Sequence, residues 1–442
     1  MNILFSNPPW WELDPVHNRL RGGVRAGSRW PFTQHVRSTP DHPVYGEYLP
    51  YPFFMGYAAT YVAKHTGAKV RMRDSIALRE SYQGYLNYLL AEKPDFIFIE
   101  SATPSWEHDV KIITDLPQHL PGVKIVICGP ITSIKSEEIL NTLPVVACIK
   151  GEYEKGSVKV IGGARGVIEH DLLTAKEMNE APFPYYDELI ARRYWDYNPI
   201  GQSFPHAHVW SSRGCPFKCI FCVWPATMTG SDPDGTNKRT VRHYTPDYME
   251  RFITDLVTRF QFKSIYFDDD TFNLGNSHVV KMCEVMKKIR LPWSAMCRAD
   301  TIKTETWQLM RDAGCIGVKL GFESGNQYVV DKIVNKGLDL EKARDTVFEL
   351  KRLGMTVHGT FTYGLPGETK EQMQDTKRYI ASMPLDSIQE SGTAEIEGTP
   401  LHTLRASGKL AAYTGASMET GYTRERDGVK KFENVIDALV NG

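Results

Sequence analysis

Twice along this chain, short apolar runs alternate with stretches in which apolar residues recur every three or four positions. That rhythm restricts the fold to strands and helices wound into α/β layers on parallel sheets. In the first half, Asn2–Ser6, Lys69–Met72, Asp95–Glu100, Lys124–Cys128 and Val145–Ile149 read as buried strands, and Phe54–Lys64, Gln83–Ala91, Trp106–Leu116 and Glu137–Leu143 carry helical periodicity. This is the pattern of a Rossmann-like, doubly wound parallel sheet, assigned to residues 1–160. The interruption Trp10–Pro52 is too long for an ordinary loop and is expected to be functional or packed on another domain. Residues 161–205 lack a strong repeat and hold the stiff aromatic run Ala181-Pro-Phe-Pro-Tyr-Tyr-Asp187, which reads as a linker. From His206 the alternation resumes, with strands near 208–212, 263–268, 293–297, 316–321, 356–363 and 387–392. Helices fit between them, for example Asp247–Phe260, Ser277–Ile289, Thr304–Ala313 and Leu340–Leu353, so residues 206–402 are expected to form a partial (β/α)6 barrel. Its chemistry belongs at the C-terminal ends of the strands. Residues 403–442 read as a short helical and loop-like segment. At 442 residues and 42% hydrophobic content, the chain can bury the cores of two or three domains.

The 52 basic residues nearly cancel the 53 acidic ones, so no long-range field is expected to draw in nucleic acid or an anionic membrane. The basic, glycine-rich stretch Arg21–Trp30 could pass for an RNA-binding segment. In a near-neutral chain it reads better as a loop that covers a ligand or reaches the barrel mouth. No apolar run has the length of a membrane span, and Met1-Asn-Ile-Leu-Phe-Ser6 begins a strand rather than a signal peptide. A cytoplasmic protein without a membrane span is the expectation. Of the eight cysteines only Cys215, Cys219 and Cys222 are clustered, which does not fit a disulfide framework. Cys128, Cys148, Cys283, Cys297 and Cys315 read as small buried hydrophobes.

Ser211-Ser-Arg-Gly-Cys215-Pro-Phe-Lys-Cys219-Ile-Phe-Cys222 puts three thiols within eight residues directly after a predicted strand. Such spacing lets one loop wrap three irons of a [4Fe–4S] cubane and leaves the fourth iron open to a substrate or cofactor. A structural zinc site, or loop cysteines without metal, is the alternative. Later strands end in Phe267-Asp-Asp-Asp-Thr-Phe272, Cys297-Arg-Ala-Asp300, Gly321-Phe-Glu-Ser-Gly325 and Gly364-Leu-Pro-Gly-Glu-Thr369. By themselves these could be a helix-capping cluster, ion-pairing residues and a turn.

The CxxxCxxC spacing, with Phe221 before the last cysteine, resembles the signature of radical S-adenosylmethionine (radical SAM) enzymes, and the likeness runs through the barrel to about residue 402. The resemblance implies that Cys215, Cys219 and Cys222 hold a [4Fe–4S] cluster whose open iron chelates S-adenosylmethionine. Reduction then releases a 5′-deoxyadenosyl radical able to attack an unactivated C–H bond. Carried over residue by residue, it implies S-adenosylmethionine contacts at Phe221, at Asp268, Asp269 and Asp270 for the amino group, at Arg298 for the carboxylate, and at Glu323 with Ser324 for the ribose. Gly364, Leu365 and Gly367 would form the adenine-side loop, where glycine lets backbone approach the base.

A doubly wound domain ahead of such a barrel is similar to the cobalamin-binding subgroup of that family. On this likeness the corrin contacts are Asn7, Pro8 and Pro9 after the first strand, Ser101 and Thr103 after the third, Gly129 and Pro130 after the fourth, and Gly151 and Glu152 after the fifth. All follow carboxyl ends of parallel strands, where open sheets bind ligands. No DxHxxG sequence surrounds His17, His35, His42, His65 or His108, so the resemblance names no lower-axial ligand. Methylthio-transferring relatives carry three further cluster cysteines in that domain, against only Cys128 and Cys148 here. The implied activity is cobalamin-dependent radical methylation of an unactivated carbon on a peptide, protein side chain or small metabolite. An electron donor such as flavodoxin or ferredoxin would be the partner. Rearrangement or cyclisation with the same cofactors, a radical SAM enzyme with a non-cobalamin N-terminal domain, and a noncatalytic iron–sulfur scaffold are the other readings.

Overall fold

A computed structural model describes residues 1–14, 19–23, 32–36, 48–196, 200, 202–393, 395–408 and 422–425. It divides into two compact units: Met1–Tyr197 with Val223–Pro233, and Asn198–Cys222 with Asp234–Gly442. His17 and His42, two of the histidines without a DxHxxG context, and most of Arg21–Trp30 lie outside the described residues.

In the first unit, β1 (Asn2–Asn7) leads into a small antiparallel sheet of β2 (Trp11–Asp14), β3 (Arg19–Gly23), β4 (Phe32–Val36) and β5 (Tyr48–Leu49). There follow β6 (Lys69–Asp74), β7 (Phe96–Glu100), β8 (Lys124–Cys128), β9 (Val145–Ile149), β10 (Gly166–Ile168) and the short β11 (Trp195–Asp196). The main sheet is parallel in the order β10-β9-β8-β7-β1-β6. Leu4, Ile97, Ile99, Ile125 and Ile127 on one face pack with Ile113, Leu116 and Ile139 of the covering helices. On the other face Phe5 stacks on Phe98 at 4.7 Å, with Tyr153 beyond it at 6.2 Å. Burial on both faces explains why these strands are near-continuous apolar runs. The chain runs from β1 outward to β6 and then crosses to β7 on the other side, so the strand order reverses between β1 and β7. Ligands enter such sheets at the carboxyl ends flanking that reversal.

Two segments differ from the sequence reading. The span read as a linker is built into the first unit: β10 pairs with β9, Tyr186 stacks on Tyr51 at 4.3 Å, and β11 pairs with β5. The run that looked like a stiff spacer is stiff because its rings are core. The helix expected from Glu137 begins at Thr132, whose hydroxyl donates to the Gly129 and Ile149 carbonyls. Its polar first turn carries no apolar period to read.

The second unit contains β12 (His206–Val209), the pair β13 (Ser212–Arg213) and β14 (Arg242–His243), then β15 (Ser264–Phe267), β16 (Trp293–Cys297), β17 (Cys315–Glu323), β18 (Thr356–Tyr363), β19 (Ser387–Gly392) and β20 (Tyr422–Glu425). Its large sheet has the order β12-β15-β16-β17-β18-β19-β20, with the first six strands parallel and β20 antiparallel at the edge. That edge strand was not expected in a helical tail. Thr245, Asp339 and Thr369 cap the helices Pro246–Phe260, Leu340–Arg352 and Lys370–Ala381 through their side-chain oxygens. On β17, Phe322 faces a helix, with its ring 5.9 Å from Tyr379. Lys319 points the other way, to 4.7 Å from the ring of Tyr266 on β15. Their strands are separated by β16, so these side chains meet on the concave side of a curved sheet, as a partial barrel requires. No helix among the described residues is long and apolar enough to cross a membrane.

Gly129, directly after β8, has φ 93°, and a Cβ there would lie 2.5 Å from the Ser101 carbonyl oxygen. Gly129→Ala is therefore expected to destabilise the protein by about 2–3 kcal/mol, through strain and displaced backbone. Gly67→Ala, also at positive φ but facing open space, should cost about 1 kcal/mol. Urea denaturation of both variants checks the difference.

Candidate active site

The three-cysteine loop is anchored before it reaches its first thiol. Asp269, at the end of β15 and fully buried, accepts hydrogen bonds from the Ser211 N–H and hydroxyl and from the Ser212 hydroxyl. Burial pushes its carboxyl up to about 6 in spite of these donors. The Ser211 hydroxyl also meets His278 Nε2 at 2.9 Å, and the His278 ring packs on His243 at 4.1 Å. Backbone pairing extends the anchor, since the Asp268 N–H donates to the Val209 carbonyl.

Beyond this anchor, Cys215 Sγ lies 3.6 Å from Thr271 Oγ1. Cys219 is buried among Val329, Val334 and Leu365, with Phe217, Phe221 and Cys222 half-buried around it. Cys219 and Cys222 share a thiol hydrogen bond that draws Cys219 down to about 7, with Lys336 and Arg298 helping, and pushes Cys222 up. Cys215 is raised to about 11 by burial and by Asp270. Among the described residues no three His, Cys, Asp or Glu side chains gather as around a single ion. A cubane gives each thiolate its own iron, so three thiols spread along one loop fit it chemically.

Most of the other expected contacts also end near this loop, but several are already engaged. Arg298 donates to both Asp300 carboxylate oxygens and to the Lys336 and Gly337 carbonyls, and its guanidinium lies 3.8 Å over the Phe217 ring. It thereby holds the three-cysteine loop through Phe217. Glu323 sits at φ 69°, a left-handed conformation costly for a non-glycine residue. It pairs with Lys336 at 2.8 Å and accepts from Thr362 at 3.2 Å. A Cβ on Gly321 would come within 2.8 Å of both partners, so glycine there makes room for the pair. Ser324 is buried against Thr376 and shapes the turn after β17. Gly364 and Gly367 take φ of 68° and 80°, and Leu365 packs on Cys219. In the same loop Glu368 is raised to about 7 by burial, and its Oε1 is buried without a hydrogen-bond partner. Lys336, Thr271 and Glu368 were not singled out in the sequence. Lys336 belongs to no periodic pattern, and only the pairing with Glu323 thirteen residues earlier identifies it.

In the first unit the expected residues do follow the carboxyl strand ends, yet many are committed internally. Asn7 donates to Asp74, which also caps the next helix and accepts from Tyr194. Ser101 donates to Asp109. Pro8, Pro9 and Pro130 are buried. The space over Gly151 is filled by His170 and the Met228 carbonyl, and the Glu152 N–H donates to that same carbonyl. Thr103 Oγ1 and Ser133 Oγ, beyond β7 and β8, are buried with no hydrogen-bond partner. Such atoms call for a polar ligand or water.

The profile of the radical SAM superfamily matches residues 211–380, from the Asp269-anchored serine through the helix after the glycine loop. Residues 211–380 therefore carry a radical SAM domain. The chain is 24% identical to an uncharacterized methyltransferase of Pyrococcus horikoshii, over 79% of this chain and 77% of that one. Its fold matches that of TsrM, a radical SAM methyltransferase of Kitasatospora setae solved with cobalamin and a [4Fe–4S] cluster bound. That match has a TM-score of 0.64 and 15% identity, over 90% of this chain and 76% of that one. It also matches OxsB, a cobalamin-dependent radical enzyme solved with aqua-cobalamin and S-adenosylmethionine, with a TM-score of 0.62 and 15% identity over 86% of this chain. The chain spans 51% of OxsB.

Asp269→Ala would strand the Ser212 hydroxyl and the Ser211 N–H in the interior and leave the Ser211 hydroxyl only His278. It is expected to destabilise the protein by about 2–4 kcal/mol in urea denaturation. Asp269→Asn, which keeps an acceptor, should lose less than half of that.

Proposed function

We propose that this chain is a cobalamin-dependent radical SAM methyltransferase acting on an unactivated carbon. The observation that carries the reading is the three-cysteine loop held by Asp269 at the strand ends beside the buried Lys336–Glu323 pair. When bound, the cluster and S-adenosylmethionine supply a 5′-deoxyadenosyl radical and cobalamin supplies a methyl group.

Cys215, Cys219 and Cys222 would hold three irons, and the collar of Val329, Val334 and Leu365 excludes water from Cys219. Lys336 has three N–H donors and one carboxylate partner, so it can also take the S-adenosylmethionine carboxylate, while Arg298 fixes Phe217 and the loop. Glu323 Oε2, turned toward Thr362, is available to ribose hydroxyls. Glu368, poised near neutrality, can donate to or accept from an adenine edge. In the first unit, Thr103 and Ser133 are the polar atoms best suited to a corrin or its nucleotide tail, with Pro8 and Pro9 as apolar surface. Flavodoxin or ferredoxin is the expected reductant.

Anaerobically reconstituted protein is expected to hold about four iron and four sulfide per chain. Supplied with S-adenosylmethionine and reductant, it should release 5′-deoxyadenosine. Cys215→Ala, Cys219→Ala and Cys222→Ala combined should abolish cluster and product together, and Cys283→Ala should spare both. Product formation by the triple variant would refute the reading. Full-length protein should retain hydroxocobalamin through gel filtration at micromolar concentration; failure would favour a radical SAM enzyme without a corrin.

A further inference from the structure

The interior of the second unit carries a polar rung that neither its core nor the cluster loop explains. His208 pairs in register with Tyr266, and Tyr266 with Ser294. Two residues further along β16, Met296 pairs with Lys319, which pairs with His358, which pairs with Ser387. All of these rung residues except Met296 are buried, and they lie on the concave face, as the approach of Lys319 to Tyr266 across β16 requires. Barrel interiors are ordinarily filled by branched apolar side chains. Here the apolar residues, Val318, Leu320, Val357 and Phe361, occupy the alternate positions, and Phe361 stacks on Phe322 near the helices.

Within the rung, His358 Nδ1 meets the Ser387 hydroxyl at 2.7 Å, whereas its Nε2 is buried without a hydrogen-bond partner. Ser294 Oγ is equally buried and unpartnered. Unsatisfied polar atoms this deep are costly unless a ligand or water completes them. Burial, reinforced by Lys319, pulls His358 well below its ordinary value, so its imidazole is neutral. One step toward the mouth, Thr360 pairs with Gln389 and both are only half-buried, so the lumen is not packed solid above the rung. The rung therefore offers an ammonium, two imidazoles and hydroxyls, and contains no carboxylate.

We propose that this rung is the floor of the substrate site and anchors an anionic end of the substrate, a carboxylate or a phosphoryl group. Lys319 supplies the charge, and His358 Nε2 and Ser294 Oγ supply directional contacts. Lys319 pairs with His358 and, because of a bulge after Gly321, Glu323 pairs with Phe361 only three residues further on, which sets the anchor about 10 Å below the level of Glu323. A substrate of that reach, charged at one end and reactive at the other, is the class selected. This inference rests on the proposed radical chemistry only in taking the strand ends as the reacting level.

The test is calorimetric titration of anaerobically reconstituted full-length protein with octanoate, octyl phosphate and octanamide at fixed ionic strength. At least one of the anions is expected to bind about tenfold more tightly than the amide, as a charge-assisted contact gives. A preference between the two anions identifies the anionic group. Lys319→Met should erase the advantage, and His358→Leu should reduce it severalfold; if one variant does not fold, the other and the acid–amide comparison in unaltered protein decide. Equal binding of anions and amide, binding of none, or an advantage surviving in both folded variants overturns the proposal. Such a result with 5′-deoxyadenosine formation intact counts against the floor alone, whereas loss of that product counts against the radical reading.

Discussion

The candidate site depends on one buried carboxylate. Asp269 reaches across from the end of β15 to take three donors from Ser211 and Ser212, and so fixes where the chain leaves the sheet on its way to Cys215. Burying a charge is expensive, and the raised value of about 6 records that expense even with every donor in place. A loop of three cysteines has little regular structure of its own. Holding it at a strand end requires an anchor stiffer than the loop, and the sheet provides one.

The same economy governs the groups around the thiols. Arg298 is spent on Asp300, two carbonyls and the face of Phe217, so the loop is clamped from its far side as well. Glu323 adopts a left-handed backbone to bring its carboxylate to Lys336, and Gly321 omits the side chain that would block the pair. Strain and a missing Cβ two residues apart are what a site looks like when the surrounding strands over-determine it. Alternation along β17 and β18 then sorts the residues, with apolar ones toward the helices and polar ones into the lumen. Tyr363 follows the helix-side set and binds Glu390, which Lys377 also meets, while His358 belongs to the lumen.

Most strands of both sheets were legible as short runs rich in buried residues, and Lys124–Cys128, Trp293–Cys297 and Ser387–Gly392 coincide with their expected bounds, whereas β10 and β20 were not read. The cysteine loop was legible because its spacing is short-range. What could not be read was division of labour among like residues. Asp268, Asp269 and Asp270 are identical in sequence, and only the geometry at the end of β15 gives the middle one to the loop anchor. Arg298 and Lys336 divide in the same way, because pairing across loops has no period. The span 161–205 failed for a related reason: Tyr51 and Tyr186 are distant in sequence, and their stacking left no local mark.

The account stands most directly on the fate of the methyl group. Full-length protein given substrate and S-adenosylmethionine labelled in its methyl carbon should transfer one labelled methyl to substrate carbon, with one S-adenosylhomocysteine and one 5′-deoxyadenosine formed per turnover, as followed by mass spectrometry. Methylated product without 5′-deoxyadenosine, or 5′-deoxyadenosine coupled to a product that carries no label, would contradict it.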